Sequence, residues 1–327
     1  KLTGVAATDS YTASTANYDV EKRVWSSNIE KLVDTEKLPK VFHPGFEVGE
    51  VSSEAAAELG VKKSVKVVLG SIDAYLAVVG CGALNSGQAC DITGTSTCLM
   101  VVTKRRISTS TFSSIPHLTG RNYIVSGIMS TTGVLLEWLS KNTGLNIDFL
   151  VEKARQAPPA SSGLILLPYF MGERSPLWDP KAKGVWIGLT LRHEIPHLAR
   201  SVLEACAYGL KHNIELLTSL GVEIKELRVC GGAAKNDFWN QIKADVTRVK
   251  VLKPFETEAS LLGAAALALK HVQNKSLESV ENSIVKIERE FQPNPSLESI
   301  YSSAFKIYVK TYELLKELMH ELDRVAS

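Results

Sequence analysis

Residues 91–97 read Asp-Ile-Thr-Gly-Thr-Ser-Thr, and the fold can be argued outward from this stretch. Apolar and β-branched residues flank it on both sides, which predicts two strands, Ala89–Thr93 and Cys98–Val102, joined by a tight turn. Such a turn can direct successive backbone N–H groups and hydroxyls to one point, as a phosphate group requires. Taken alone, the stretch fits an ordinary hairpin turn better, because Gly, Thr and Ser are common turn residues.

A second glycine turn follows another predicted strand, Leu227–Cys230. It reads Gly-Gly-Ala-Ala-Lys-Asn over residues 231–236 and leads into a predicted helix, Phe238–Val246. Two glycines after a buried strand let a flat ligand approach the backbone closely, so this turn can hold the adenosine of a nucleotide. A packing turn between strand and helix explains the same residues equally well, because a glycine pair is a weak fingerprint.

Asp73 follows a short β-branched run, Val65–Leu69, and precedes a predicted helix, Ala74–Val79. The run predicts a buried strand, and ligands of α/β proteins bind at the carboxyl ends of strands. A carboxylate in that place can take a proton from an attacking hydroxyl. The alternative is that Asp73 only caps the helix, and the residue type alone favours it.

Two further segments offer candidate residues. Residues 126–138 read SGIMSTTGVLLEW, in which Gly133 leads into a helix that carries Glu137. This segment either lines a base pocket or is a plain helix start. Residues 172–180 read GERSPLWDP, and in this loop Glu173 and Arg174 either contact a ligand or brace the loop.

Composition limits the class of protein. The 327 residues suggest about two domains of roughly 100–200 residues each, and 45% apolar residues allow a packed core. A net charge of +2 argues against nucleic acid and membrane surfaces as partners, and no apolar stretch approaches the length of a membrane span. Five cysteines without metal-binding spacing predict free thiols and a cytoplasmic location. Strands alternating with helices predict an α/β protein.

The chain as a whole resembles the FGGY family of carbohydrate kinases. The most specific segment is Gly184–Leu189, followed after seven residues by His197–Glu204. Four other segments occur around it in the family's order: GERSPLWDPKAKG (172–184), GGAAKNDFWNQIKADV (231–246), ETEASLLGAAALA (256–268) and PNPSLESIYSSAFKIYVKTY (293–312).

The resemblance implies an actin-like fold, with two ribonuclease-H-like domains around a cleft. Residues 1–86 would end the N-terminal sugar-binding domain, and residues 87–327 would form the C-terminal ATP-binding domain with its terminal helix. Asp73 would be the catalytic base, and ATP would contact Gly94, Thr95, Ser96, Gly133, Glu137, Gly232, Ala233 and Asn236. ATP and Mg²⁺ are the implied cofactors, although no metal ligand is identified. A homodimer is left open.

Two departures from the family pattern qualify this interpretation. The family's N-terminal Asp-x-Gly-Thr hairpin is not found, so we expect an N-terminal portion to be missing and this chain alone to be inactive. Asp73 is followed by Ala74-Tyr75, whereas glycerol kinases usually have Gln and xylulokinases usually Asn after the base. A pentulose such as xylulose remains the favoured substrate, with gluconate or ribulose as alternatives.

Two other classes of function compete with a sugar kinase. One is a non-catalytic nucleotide-binding protein on an actin-like fold. The other is an oxidoreductase that uses the turn at 231–232 for a dinucleotide, and the absence of GxGxxG spacing argues against it.

Overall fold

Strands and helices alternate along the chain in the computed structural model, which describes residues 1–326. The strands are β1 (Ala7–Asp9), β2 (Tyr18–Asp19), β3 (Val24–Trp25), β4 (Lys40–Phe42), β5 (Glu47–Glu50), β6 (Lys66–Val68), β7 (Gln88–Thr93), β8 (Thr97–Thr103), β9 (Ser113–Pro116), β10 (Tyr123–Met129), β11 (Ile165–Leu167), β12 (Val185–Ile187), β13 (Glu226–Cys230), β14 (Lys250–Pro254) and β15 (Ile287–Phe291). The helices are α1 (Ser10–Ser14), α2 (Ser27–Glu30), α3 (Ser53–Leu59), α4 (Asp73–Gly80), α5 (Val134–Thr143), α6 (Ile147–Ala154), α7 (Ile195–Ser219), α8 (Asp237–Thr247), α9 (Ala259–Gln273), α10 (Leu277–Ile284) and α11 (Glu298–Ala326).

A seven-stranded mixed sheet organises the chain from β7 onward, in the order β15-β14-β13-β7-β8-β10-β9. Strands β7, β8 and β10 are antiparallel neighbours, and β13 and β14 run parallel to β7. Cys230 pairs with Ile92, so β7 and β13 end side by side at their carboxyl ends. This register brings the turn after β7 next to the glycine turn after β13.

Helices cover both faces of this sheet, as the α/β prediction requires. Alternate residues of the strands point to opposite faces. Leu99 and Val101 of β8 pack with α7, while Met100 and Val102 of the same strand pack with α4. The aromatic residues of α11 form a packing face, since they lie in the core cluster around α7: Tyr301, Phe305, Tyr308 and Tyr312.

Residues 1–72 form three small two-stranded sheets instead of one large sheet. β1 pairs with β4, β2 with β3, and β5 with β6. The prediction that residues 65–69 form a buried strand is wrong in its burial, because β6 pairs with β5 alone and its residues are half-buried or exposed.

Helix α4 packs tightly against α9. A Cβ atom at Gly80 would lie 1.8 Å from the carbonyl oxygen of Ala259, and one at Gly263 would lie 2.0 Å from that of Leu76. The two helix backbones therefore touch. The division of the chain at residue 86 stays a prediction, and α4 itself packs on the seven-stranded sheet.

Within residues 1–326, no helix combines the length and the apolar character that crossing a bilayer requires.

Candidate functional site

Three turns meet at the carboxyl ends of β7 and β13. The Gly133 N–H donates to the Gly94 carbonyl at 3.0 Å. A Cβ at Gly133 would lie 2.2 Å from that same oxygen, so only glycine allows this contact. Gly231 has a φ of +80°, and a Cβ there would lie 3.0 Å from the carbonyl oxygen of Thr93. The structure thus brings together the turns at 94–96, 133 and 231–232.

The outer side of these turns is open. A Cβ atom built at Gly94 or at Gly232 would meet no heavy atom within 4 Å, and both residues are exposed. Thr95 is exposed as well, and Ser96 is half-buried. The backbone of both turns is therefore accessible to a ligand, which is the arrangement that binding of a phosphate or a nucleotide by main-chain groups requires.

The remaining predicted nucleotide residues surround these turns. Asn236 accepts the Trp239 N–H at 2.9 Å through its side-chain oxygen and so caps α8. Ala233 is half-buried against the core cluster, and Glu137 is an exposed residue in the first turn of α5. Asn236 therefore has a structural role that the sequence analysis does not assign, while nucleotide contacts by all three residues stay predictions.

Asp73 lies at the start of α4 with an exposed side chain. The N-cap position belongs to Ile72, and the Asp73 carboxylate accepts the N–H of Ala74 at 2.7 Å. The Asp73 carbonyl accepts the hydroxyl of Ser260 at 3.1 Å, which ties this end of α4 to α9. The carboxylate is accessible to a ligand, so capping the helix is not its sole possible function.

Cys98 connects Asp73 to the turn at 94–96. Burial raises the pKa of the Cys98 thiol, the positive charge of Arg174 counteracts the rise, and the negative charge of Asp73 adds to it. Ala74, which follows Asp73, packs against the same core cluster as Cys98. Arg174 bonds to Ser130, which follows Met129, the strand partner of Thr97. Asp73, Arg174 and the turn share one end of the sheet.

Glu173 braces the long loop that follows β11. Its carboxylate is buried and accepts the N–H groups of Ser130 at 2.6 Å and Arg174 at 2.8 Å. Burial raises the pKa of this carboxyl to about 7. The Arg174 Nε donates to the Ser130 hydroxyl at 3.3 Å. Glu173 therefore braces the loop, as one of the two interpretations of the sequence predicts. The same hydrogen bonds hold Arg174 beside the end of β10.

One group of residues at the site is missed by sequence reasoning. Below the turn at 94–96, a buried Lys243 pairs with a buried Asp91, and buried threonine hydroxyls surround the pair. The signal available in the sequence was Lys243 itself, which falls on the apolar face of α8 with Trp239 and Val246.

A cavity lies elsewhere, and no predicted site residue lines it. It has a volume of about 650 Å³ and is bordered by residues 10–46 and 116–123. Tyr11, one of its lining residues, lies 5.4 Å from Tyr75 between ring centroids, so the cavity approaches the first turn of α4. Within the described side chains, no group of three or more His, Cys, Asp or Glu residues can hold a metal ion.

Comparison with known sequences identifies the family of this chain. Residues 1–80 match the N-terminal domain of the FGGY family of carbohydrate kinases, and residues 91–271 match its C-terminal domain. The chain is 28% identical over 318 residues to a xylulose kinase of Staphylococcus epidermidis, covering 94% of this chain and 64% of that protein. It is 32% identical over 277 residues to the xylulose kinase of Escherichia coli, covering 82% and 57%.

Solved structures agree with the sequence comparison. The xylulose kinase of Lactobacillus acidophilus superposes with a TM-score of 0.90 at 25% identity, over 98% of this chain and 67% of that one. The gluconate kinase of the same species superposes with a TM-score of 0.87 at 25% identity, over 96% and 65%. These matches confirm the predicted actin-like fold. The chain therefore belongs to the FGGY family of carbohydrate kinases.

Proposed function

We propose that this protein transfers the γ-phosphate of ATP to a hydroxyl of a small sugar, sugar acid or polyol. The observation that carries the proposal is the convergence of the two accessible glycine turns, at 94–96 and 231–232, on the side of the sheet where α4 begins with an exposed Asp73. Two turns of this kind suit the two ends of a nucleotide, and a free carboxylate suits the acceptor hydroxyl.

In this reaction the turn at 94–96 holds the phosphates, and Gly232, Ala233 and Asn236 hold the adenosine. Asp73 accepts the proton of the sugar hydroxyl while the oxygen of that hydroxyl attacks the γ-phosphorus. The bond from the γ-phosphorus to the bridging oxygen breaks, and ADP leaves. Phosphoryl transfer requires little covalent chemistry from the protein, so alignment of the two reactants supplies most of the rate enhancement.

Mg²⁺, when bound, would neutralise charge on the phosphates. A Mg²⁺ ion at such sites takes most of its ligands from phosphate oxygens and water, with one or two carboxylates. A dedicated cluster of protein ligands is therefore not required, which fits the finding that residues 1–325 contain none.

The acceptor we favour is a pentulose such as xylulose, and gluconate or ribulose are the alternatives. Similarity to xylulose kinases supports the first choice, and similarity to a gluconokinase and a ribulokinase supports the others. Ala74 and Tyr75 differ from the usual residues after the base, so these side chains are candidates for setting acceptor preference.

Assays of ADP release test this proposal. The protein expressed from its whole gene is given ATP with xylulose, ribulose, gluconate and glycerol in turn. We expect one sugar to stimulate ATP consumption, and Asp73→Asn to lower kcat by at least about 10² with little change in the KM for ATP. Asp148→Asn is the matched control, since Asp148 is an exposed residue in the first turn of α6.

Near-normal turnover by the Asp73→Asn variant would remove Asp73 from the role of base. Nucleotide binding without turnover on any acceptor would favour the non-catalytic alternative. The expectation that the 327-residue chain alone is inactive stays a prediction, and the same assay on that chain measures it.

A further inference from the structure

A buried ion pair lies directly beneath the turn at 94–96. Asp91 on β7 is fully buried, and the side chain of Lys243 on α8 is 2% exposed. Their charged atoms, Nζ of Lys243 and Oδ2 of Asp91, are 2.5 Å apart. Thr93 completes this group, because its hydroxyl oxygen accepts from Lys243 Nζ at 3.2 Å and lies 2.6 Å from Asp91 Oδ1.

A chain of threonine hydroxyls links this ion pair to the turn itself. The hydroxyls of Thr93 and Thr97 are 2.9 Å apart, and those of Thr97 and Thr132 are 3.0 Å apart. The Thr132 hydroxyl then donates to the carbonyl oxygen of Thr95 at 3.3 Å. Thr93, Thr97 and Thr132 are each 1% exposed, so water does not compete for these bonds.

A contribution to folding stability does not by itself explain why this ion pair is buried here. Desolvating two charges costs about as much as their attraction returns, and an apolar pair of similar size is often equally stable. What the pair does provide is a defined position, since each charge holds the other in one geometry.

The two charges belong to the two elements that carry the nucleotide turns. Asp91 lies on β7, which leads into the turn at 94–96, and Lys243 lies on α8, which follows the turn at 231–236. Residues 91 and 243 therefore connect the segment assigned to the phosphates with the segment assigned to the adenosine.

We propose that Asp91, Lys243 and the threonine chain position the turn at 94–96, the phosphate turn, relative to the turn at 231–236, the adenosine turn. They are positioning residues, because they are buried beneath the turn and act on a nucleotide through the Thr95 backbone. The inference rests on the proposed function in one respect, namely that nucleotide phosphates bind at 94–96.

Two variants and one control test the proposal. Thr97→Val removes the central hydroxyl without changing the size of the side chain. Asp91→Leu combined with Lys243→Met replaces the ion pair by apolar groups of similar size. Thr311→Val is the matched control, since its buried hydroxyl bonds to the Ile307 carbonyl in α11, away from the turns.

The decisive quantity is the ratio of the dissociation constants of ADP and adenosine, measured by calorimetry alongside the free energy of unfolding. A misplaced phosphate turn weakens the binding of ADP but does not change the binding of adenosine. We expect both variants to lose about tenfold in ADP affinity, the effect of one or two hydrogen bonds, with adenosine affinity and the control unchanged. The KM for ATP should rise in parallel.

An unchanged ratio in folded Thr97→Val protein would overturn the proposal, even if the double variant fails to fold. Equal weakening of ADP and adenosine would overturn it too, because that result indicates a general loss of structure. Failure of the unaltered protein to bind ADP at all would instead refute the proposed function, and this inference with it.

Discussion

Replacing Gly80 by Ala tests the backbone contact between α4 and α9, which sets the position of Asp73. The added Cβ would lie 1.8 Å from the carbonyl oxygen of Ala259, whereas an ordinary contact begins at 3.4 Å. The obstacle is backbone, so a side-chain rotation cannot relieve it. The two helices must separate by about 1.5 Å, and close-packed interiors do not absorb such a change without strain.

Two opposing terms set the size of the effect on stability. Alanine is a better helix former than glycine by about 1 kcal/mol, which alone would stabilise α4. Overpacking a close contact costs typically about 1–3 kcal/mol. Because the clash here is with the backbone, we expect the second term to dominate and the variant to lose about 1–2 kcal/mol of unfolding free energy.

The same displacement should also affect catalysis. Asp73 begins the helix that Gly80 ends, and its carbonyl is bonded to Ser260 of α9. A shift of about 1 Å in a reacting group can cost about 10² in rate, so kcat should fall by up to that factor. Urea unfolding and a coupled ADP-release assay measure the two effects on the same protein sample.

Gly70→Ala is the matched control for this substitution. Its nearest neighbour would be the Leu76 Cδ1 atom at 3.7 Å, an ordinary contact, and its φ is not positive. We expect normal stability and activity from it. A Gly80→Ala protein that is as stable and as active as the unaltered protein would show that the helix contact does not constrain Asp73, and the reasoning would fail.

Two further predictions concern the loops around the site. The folded-state pKa of Glu173, about 7, lies above its ordinary value of 4.5, so the native state holds a proton that the unfolded chain has released. Stability should therefore fall as pH rises from about 4.5 to 7, by at most about 3 kcal/mol, and Glu173→Gln should lack this fall in urea titrations at pH 5 and 8. Identical pH dependence in the two proteins would contradict the assignment. Gly133→Ala puts a Cβ 2.2 Å from the Gly94 carbonyl oxygen and must therefore displace the phosphate turn. Calorimetry should show ADP binding weakened by about tenfold or more. Near-normal ADP binding by this variant would contradict the prediction.

Local pattern in the sequence was sufficient for most of the secondary structure near the site. The strands β7, β8 and β13 and the helices α4 and α8 are predicted within a few residues of their observed bounds. Apolar periodicity and glycine turns are local signals, which is why they succeed here. Strand β15 gave no such signal, because four of its five residues are exposed and charged or polar residues interrupt any alternation.

Motif order along the chain was also sufficient to identify the family, and the matches to both family domains confirm it. The turns at 94–96 and 231–232 could be placed at strand ends from the sequence. Their meeting at one point could not, because it depends on the parallel register of β7 and β13.

The sequence by itself thus determined most of the strands, helices and turns near the site, and the family to which the chain belongs. Only the tertiary structure decided that Asp91 pairs with Lys243, 152 residues away, and that Gly80 lies against Ala259. The physical reason is that side-chain periodicity reports on the face a residue occupies, while its partner across the core is set by the packing of distant elements.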